Sequence, residues 1–180
     1  PVVVGATAVL YVLTLLFSGS RLVILGKGPE EAKIIAELNR LGIRHRVSMP
    51  GYSKEPWQHY AEAKCFVLSS NSEPFGNVVV EAMAFGLPVV ATACSGPQEI
   101  LRHGEFGRIV AVGNDLQLAH AMAGALDNPG DPAVRFAAFR GSVLLSDPLG
   151  ANPGTQLPEG TPRKITDQGG AVVWNATFLP

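Results

Sequence analysis

"CFVLSSNSEPFGNVVVEAMAFGLPVVAT", residues 65–92, holds a short apolar run, a polar loop, a long apolar run and a second short apolar run. CFVLSS (65–70) and PVVAT (88–92) read as buried strands, and the segment from about Gly76 to Phe85 as a helix. A strand, a helix and a strand in succession point to parallel neighbours joined by a crossover.

One residue in that helix is out of place. Glu81 stands among Val78, Val79, Val80, Ala82, Met83, Ala84 and Phe85. A buried carboxylate costs several kcal/mol unless something hydrogen-bonds to it. Its partner is either inside the protein, a core Arg or a backbone N–H, or a ligand; the residues alone leave both open. A second carboxylate, Glu73, precedes it with seven residues between.

The same alternation extends in both directions. RLVILG (21–26) reads as a strand, and 26–42 as a helix with Pro29 and Glu30 in its first turn and Gly42 at its stop. Its Ile34, Ile35, Leu38 and Leu41 share one face. RVSM (46–49) is a short strand. Ser53 is placed to cap a helix to about Lys64, with Trp57, Tyr60 and Ala61 inward. SGPQEILRHG (95–104) reads as a short helix and GRIVAV (107–112) as a strand. Asn114 and Asp115 open a last helix with Leu118, Ala119, Met122 and Leu126 inward. The expected fold class is therefore α/β: a doubly wound, Rossmann-like parallel sheet in three layers, with five or six strands.

The ends read differently. Residues 1–20 carry no charge, and VVVGATAVLYVLTLLF is 16 residues, short of the roughly 20 that span a membrane. A first strand (2–4) and a buried helix (about 8–17) are expected there. Residues 129–180 hold seven of the fourteen prolines and seven of the twenty glycines, so they are expected to be a mostly irregular tail. Periodicity survives there only in SVLL (142–145) and AVVWNATF (171–178). The domain expected between these ends runs from 21 to 128.

Composition excludes several classes. The chain is 47% hydrophobic, 16% charged and has net charge −1, so no basic face invites nucleic acid. Cys65 and Cys94 form no CxxC pair and read as reduced, buried thiols of a cytosolic protein. His45, His59, His103 and His120 lack ligand spacing, and no Asp-x-Asp pair is present to hold a metal on a sugar nucleotide. GxGxxG and GxSxG are absent.

Gly76 and Asn77 mark the loop-to-helix junction after a strand. In an open parallel sheet, ligands bind at such carboxyl ends, and a helix N-terminus offers free N–H groups suited to phosphate. Glu81 lies about 6 Å further along the axis. That offset suits a carboxylate gripping ribose hydroxyls while a phosphate meets the helix end.

The ordered set Glu73-x7-Glu81, AMAFGLPVVAT and GPQEIL, with GKGPEE before it and HGEFGRIVAVGN after, resembles the C-terminal, donor-binding domain of the GT4 family of GT-B glycosyltransferases. The resemblance covers about residues 21–128. It implies that Glu73 contacts hydroxyls of the donor sugar as the catalytic-site carboxylate. It also implies that Phe75, Gly76, Asn77 and Val78 lend backbone N–H groups near the donor, and that Glu81 holds the ribose. The loop MPGYS places Gly51 and Tyr52 where the family often meets the nucleotide base. The implied donor is an NDP-sugar, UDP or GDP ahead of ADP, with no cofactor and no metal. The implied acceptor is a glycan or lipid-linked hydroxyl held by an N-terminal domain that this sequence does not contain. The expected location is the cytoplasm, with peripheral association at the inner membrane face.

The sequence departs from the family in three places. No Arg or Lys occurs in the first 20 residues, where a basic pair usually meets the diphosphate. The acceptor domain is missing, and the tail lacks the helix that usually returns to it. The expectation is a truncated or rearranged piece of a retaining hexosyltransferase, inactive alone. The alternatives are a non-catalytic nucleotide-binding module and a GT-B-related sugar-nucleotide epimerase.

Overall fold

The computed structural model describes residues 20–131 and the backbone of two further strands, Lys164–Thr166 and Val172–Asn175. The strand and helix expected at 2–4 and 8–17, and the SVLL stretch, lie outside the described residues.

Five strands and five helices alternate within 20–131: β1 (Leu22–Leu25), α1 (Glu31–Arg40), β2 (Val47–Gly51), α2 (Trp57–Glu62), β3 (Phe66–Leu68), α3 (Asn77–Ala84), β4 (Val89–Thr92), α4 (Ser95–Ile100), β5 (Arg108–Val110) and α5 (Asp115–Asp127). Every pairing among these strands is parallel, in two groups. β1 pairs with β2, Leu22 opposite Val47. β3, β4 and β5 pair in that order, Val67 opposite Val90 and Val90 opposite Arg108. The tail contributes an antiparallel hairpin of β6 (Lys164–Thr166) and β7 (Val172–Asn175). β7 falls within the periodic AVVWNATF stretch.

The layers follow from side-chain alternation. Successive residues of a strand point to opposite faces, so a strand covered on both sides is apolar throughout. β4 is such a strand, buried at every position. Its Val89 and Ala91 pack with Tyr60, Val79, Met83 and Ile100, while Val90 packs with Val110, Leu118, Met122 and Ala125. β3 divides the same way: Phe66 and Leu68 to the first side, Val67 to the second. Helices α2, α3 and α4 therefore cover one face and α5 the other, which is the three-layer arrangement. α1 covers β1 and β2 through Leu38, Ile43 and Val47, and Leu22 joins that cluster to the α5 side.

Helix ends follow local chemistry. Asn114 caps α5 by accepting the Gln117 N–H at 3.0 Å. α3 ends on Gly86 at φ +66, with Leu87 N–H donating to Ala82 O at 3.1 Å and Gly86 N–H to Met83 O at 2.8 Å. The helix expected to be capped by Ser53 has Pro56 at its N-cap instead and runs over Trp57–Glu62. The Ser53 hydroxyl accepts the Glu55 N–H in a local turn, and Pro56, with its fixed φ, stands at the helix entry. Of the three residues expected inward there, Tyr60 is buried, Trp57 half-buried and Ala61 exposed, because a six-residue helix presents one narrow face. The segment 95–104 breaks after Ile100 into a short 3-10 turn, where Arg102 and His103 take positive φ. Cys94 is buried as expected, whereas Cys65 is only half-buried.

Candidate functional site

The β3–α3 connection delivers Glu73, Phe75, Gly76, Asn77 and Val78 to the carboxyl end of the three-stranded sheet. Gly76 is the N-cap residue of α3 at φ +95, ψ +49, a left-handed conformation that glycine adopts without a Cβ penalty. It turns the chain from loop to helix in one step. The N–H groups of Gly76, Asn77 and Val78 have no acceptor among the described residues, as expected of a helix start without a side-chain cap. They and the helix dipole make this helix start locally electropositive.

Glu73 lies half-buried beside it. Its Oε1 accepts the Phe75 N–H at 3.4 Å, a long contact that a better donor can displace. Phe75 itself is exposed.

Glu81 sits one turn inside α3, off the buried stripe of Val79, Ala82 and Met83. Its partner is neither an arginine nor a backbone N–H. The Tyr60 hydroxyl of α2 donates to Glu81 Oε2 at 3.0 Å, and Oε1 has no partner among the described residues. Tyr60 is held rigidly: its ring meets Phe66 edge-on at 5.8 Å and Phe85 at 5.7 Å. Burial raises the Glu81 carboxyl above the ordinary carboxylate range, and the Tyr60 hydrogen bond opposes that rise. Burial and the neighbouring carboxylate push the Tyr60 phenol up as well. The result is a half-exposed carboxylate with one oxygen fixed by the protein and the other available.

Gly51 and Tyr52 lie at the end of β2, in the other sheet. Gly51, at φ +81, lies under the Lys27 side chain, where an added Cβ would meet Lys27 Cε at 2.8 Å. Tyr52 is 75% exposed. The structure thus groups Glu73, Phe75–Val78 and Glu81 on one loop and helix. It sets Gly51 and Tyr52 beside Lys27 on a second carboxyl-end loop.

Sequence reasoning placed Tyr60 in the core but missed its bond to Glu81. The two are 21 residues apart, and only packing of α2 on α3 joins them. Lys27 was equally silent: it fell inside the segment read as a helix from residue 26, whereas α1 begins at Glu31 and Lys27 lies in the loop before it. Among the described residues, no group of three His, Cys, Asp or Glu could hold a metal ion, and no helix is long and apolar enough to cross a membrane.

This architecture matches solved glycosyltransferases. The crystal structure of Anabaena HepE with UDP and glucose superposes with a TM-score of 0.68 at 25% identity, over 75% of this chain and 39% of that one. The lipopolysaccharide-biosynthesis glycosyltransferase WaaG gives a TM-score of 0.65 at 23% identity, over 86% of this chain and 41% of that one, a likeness of fold. A Rossmann-like parallel-sheet unit with these neighbours is a GT-B fold. The chain belongs to the family "Glycosyl transferases group 1", whose model matches residues 5–138. Curated relatives agree. The lipopolysaccharide core biosynthesis glycosyltransferase LpsE of Rhizobium meliloti is 38% identical over 104 residues, 58% of this chain and 31% of that protein. The N-acetyl-alpha-D-glucosaminyl L-malate synthase of Bacillus anthracis is 33% identical over 100 residues, 56% of this chain and 26% of that protein. The chain thus spans between a quarter and a third of the length of these curated relatives.

Proposed function

We propose that this chain is the donor-binding half of a retaining GT4-type glycosyltransferase, which moves a hexosyl group from an NDP-sugar to a hydroxyl acceptor. The observation that carries it is the spacing at α3. Unfilled N–H groups at Gly76–Val78 stand between Glu73 on the loop and the available Glu81 oxygen one turn inside the helix. A nucleoside diphosphate sugar offers the complement: phosphate for the N–H groups, ribose hydroxyls for Glu81, sugar hydroxyls for Glu73. The UDP and UDP-glucose complexes of HepE, at 25% identity, support a uridine nucleotide as the first donor to test. The exposed Tyr52 ring and the Lys27 ammonium suit the base and the diphosphate. No metal or cofactor enters this reading.

In the reaction, the bond from the anomeric carbon to the diphosphate oxygen breaks, and the acceptor oxygen bonds to the same carbon. The acceptor proton leaves with the departing diphosphate. Charge grows on that diphosphate in the transition state, and the α3 N-terminus faces it with preorganised N–H donors. Glu73 orients the sugar. The acceptor belongs to a second domain and is a glycan or lipid-linked hydroxyl, with the work done at the cytoplasmic membrane face.

Thermal shift with UDP, GDP and ADP, each free and glucose-linked, tests the reading. A ligand at 100 times its Kd stabilises by about 2.7 kcal/mol. UDP-glucose or a GDP-sugar is expected to raise Tm clearly more than the ADP pair. No shift with any of the six would overturn it.

A further inference from the structure

We infer that the β4–α4 connection, through Thr92 and Gly96, positions the donor loop 69–76 and thereby sets its preference for a sugar nucleotide over the bare diphosphate. The inference rests on the donor-site reading above and adds two positioning residues to it.

Three residues reach across to that loop: Thr92 at the end of β4, Cys94 at the N-cap of α4 and Gly96 in its first turn. The Thr92 hydroxyl, on a residue only 4% exposed, donates to Ser70 O at 2.6 Å, with a longer contact to Leu68 O at 3.4 Å. The Cys94 thiol donates to the same Ser70 O at 3.3 Å. The Gly96 N–H reaches Glu73 O at 3.4 Å. Cys94 is the last extended residue before α4, at φ −83 and ψ +155. Pro97 continues the contact: a Cβ on Gly76 would meet Pro97 Cγ at 3.4 Å.

Gly96 is the closest of these contacts. A Cβ there would lie 2.0 Å from Phe75 O, 2.4 Å from Phe75 C and 2.5 Å from Phe75 Cα. All three are backbone atoms, which cannot rotate away. Real Cβ contacts essentially never fall below 3.0 Å, so a methyl group displaces the Phe75 peptide by about 1 Å. That peptide lies between Glu73 and the Gly76 N–H. Glu81 is spared, because α3 is seated on β4 through Val79 and Met83. The segment therefore fixes the sugar-facing and phosphate-facing part of the site and leaves the ribose-facing part alone. A 1 Å misplacement of positioning groups can cost 10²-fold.

The test uses the full 180-residue chain with Gly96→Ala, Thr92→Val and Thr92→Ser. Two readouts are taken: amide hydrogen exchange of residues 69–78 without ligand, and the Kd values for uridine, UDP and UDP-glucose. Gly96→Ala and Thr92→Val are expected to speed exchange at 70–76 at least tenfold. They should also lower the ratio of UDP-glucose to UDP affinity at least tenfold while leaving the Kd for uridine, which has only the ribose and base, within about twofold. Thr92→Ser, which keeps the hydroxyl, should restore both. A purely structural role would lower Tm and weaken all three ligands alike, and that result overturns the proposal, as does unchanged exchange. Should Gly96→Ala not fold, the Val and Ser pair at Thr92 decides. A wild-type chain that binds no nucleotide at all counts against the donor reading instead, and the exchange rates still report whether Thr92 and Gly96 hold the loop.

Discussion

Glu81 is tolerated in an apolar helix because Tyr60 supplies one hydrogen bond and the protein surface leaves its other oxygen reachable. The sign of its titration follows. Burial raises its pKa in the folded state, so the native protein holds that proton more tightly than the unfolded chain. The stability this contributes is complete below the ordinary carboxylate range and is lost as pH rises through the raised value. Glu81→Gln removes the titration. The Tm of wild type minus that of Glu81→Gln should therefore fall as pH rises from the ordinary carboxylate range through the raised value; a flat or rising difference would refute the desolvation account. The same variant gives up charge-assisted bonds to ligand, each worth about 1.5–3 kcal/mol. Nucleotide affinity should drop about tenfold or more, read by calorimetry at pH 7. Tyr60→Phe keeps the ring packing against Phe66 and Phe85 but deletes the donor. It should lower stability at neutral pH by about 1–3 kcal/mol and move the Glu81 titration further up, visible in the same pH series.

At the scale of the element, α3 is a helix that its own residues would not form alone. Asn77, Val78, Val79 and Val80 are weak helix formers, three of them β-branched. Burial of Val79, Ala82, Met83 and Ala84 holds it, with left-handed glycines at both ends. Gly76 sets where its N–H groups point. Gly76→Ala meets ordinary van der Waals contact at Pro97 but forces an L-residue to φ +95. It should cost about 1–2 kcal/mol in denaturant unfolding and also weaken UDP binding, because the helix start is re-aimed. Asn114→Ala is the control: losing the α5 cap should cost about 1 kcal/mol while nucleotide affinity stays the same. Equal effects of the two variants on affinity would show that α3 has no special place in binding.

Across the whole molecule, the sheet's two covered faces leave its carboxyl edge as the place where loops gather. Glu73, Gly76, Cys94 and Gly96 all follow strands at that edge. A transferase also needs a site for the acceptor, and the relatives this chain matches are about three times longer than the aligned part. We expect the 180-residue chain alone to bind a sugar nucleotide without transferring it. Incubation with labelled UDP-glucose and mixed hydroxyl acceptors checks this, and transfer well above the protein-free control would show that one unit suffices.

The sequence by itself determined the alternation of strands and helices, the parallel pairing and the loop-to-helix junction at Gly76. Each depends on local period, on glycine conformation or on chain connectivity, and these are written in neighbouring residues. It also marked Glu73 and Glu81 as the carboxylates to explain. It placed the α2 cap three residues early and put Ala61 inward, because the turn chemistry of Ser53 competes with capping and a six-residue helix has little face to bury. Only the tertiary structure decided who partners Glu81 and what holds the donor loop. Tyr60 is 21 residues before Glu81, Thr92 is 22 after Ser70 and Gly96 is 21 after Phe75. Such partners meet only when α2 packs on α3 and β4 pairs with β3, and no local pattern in the chain encodes a contact made across the sheet.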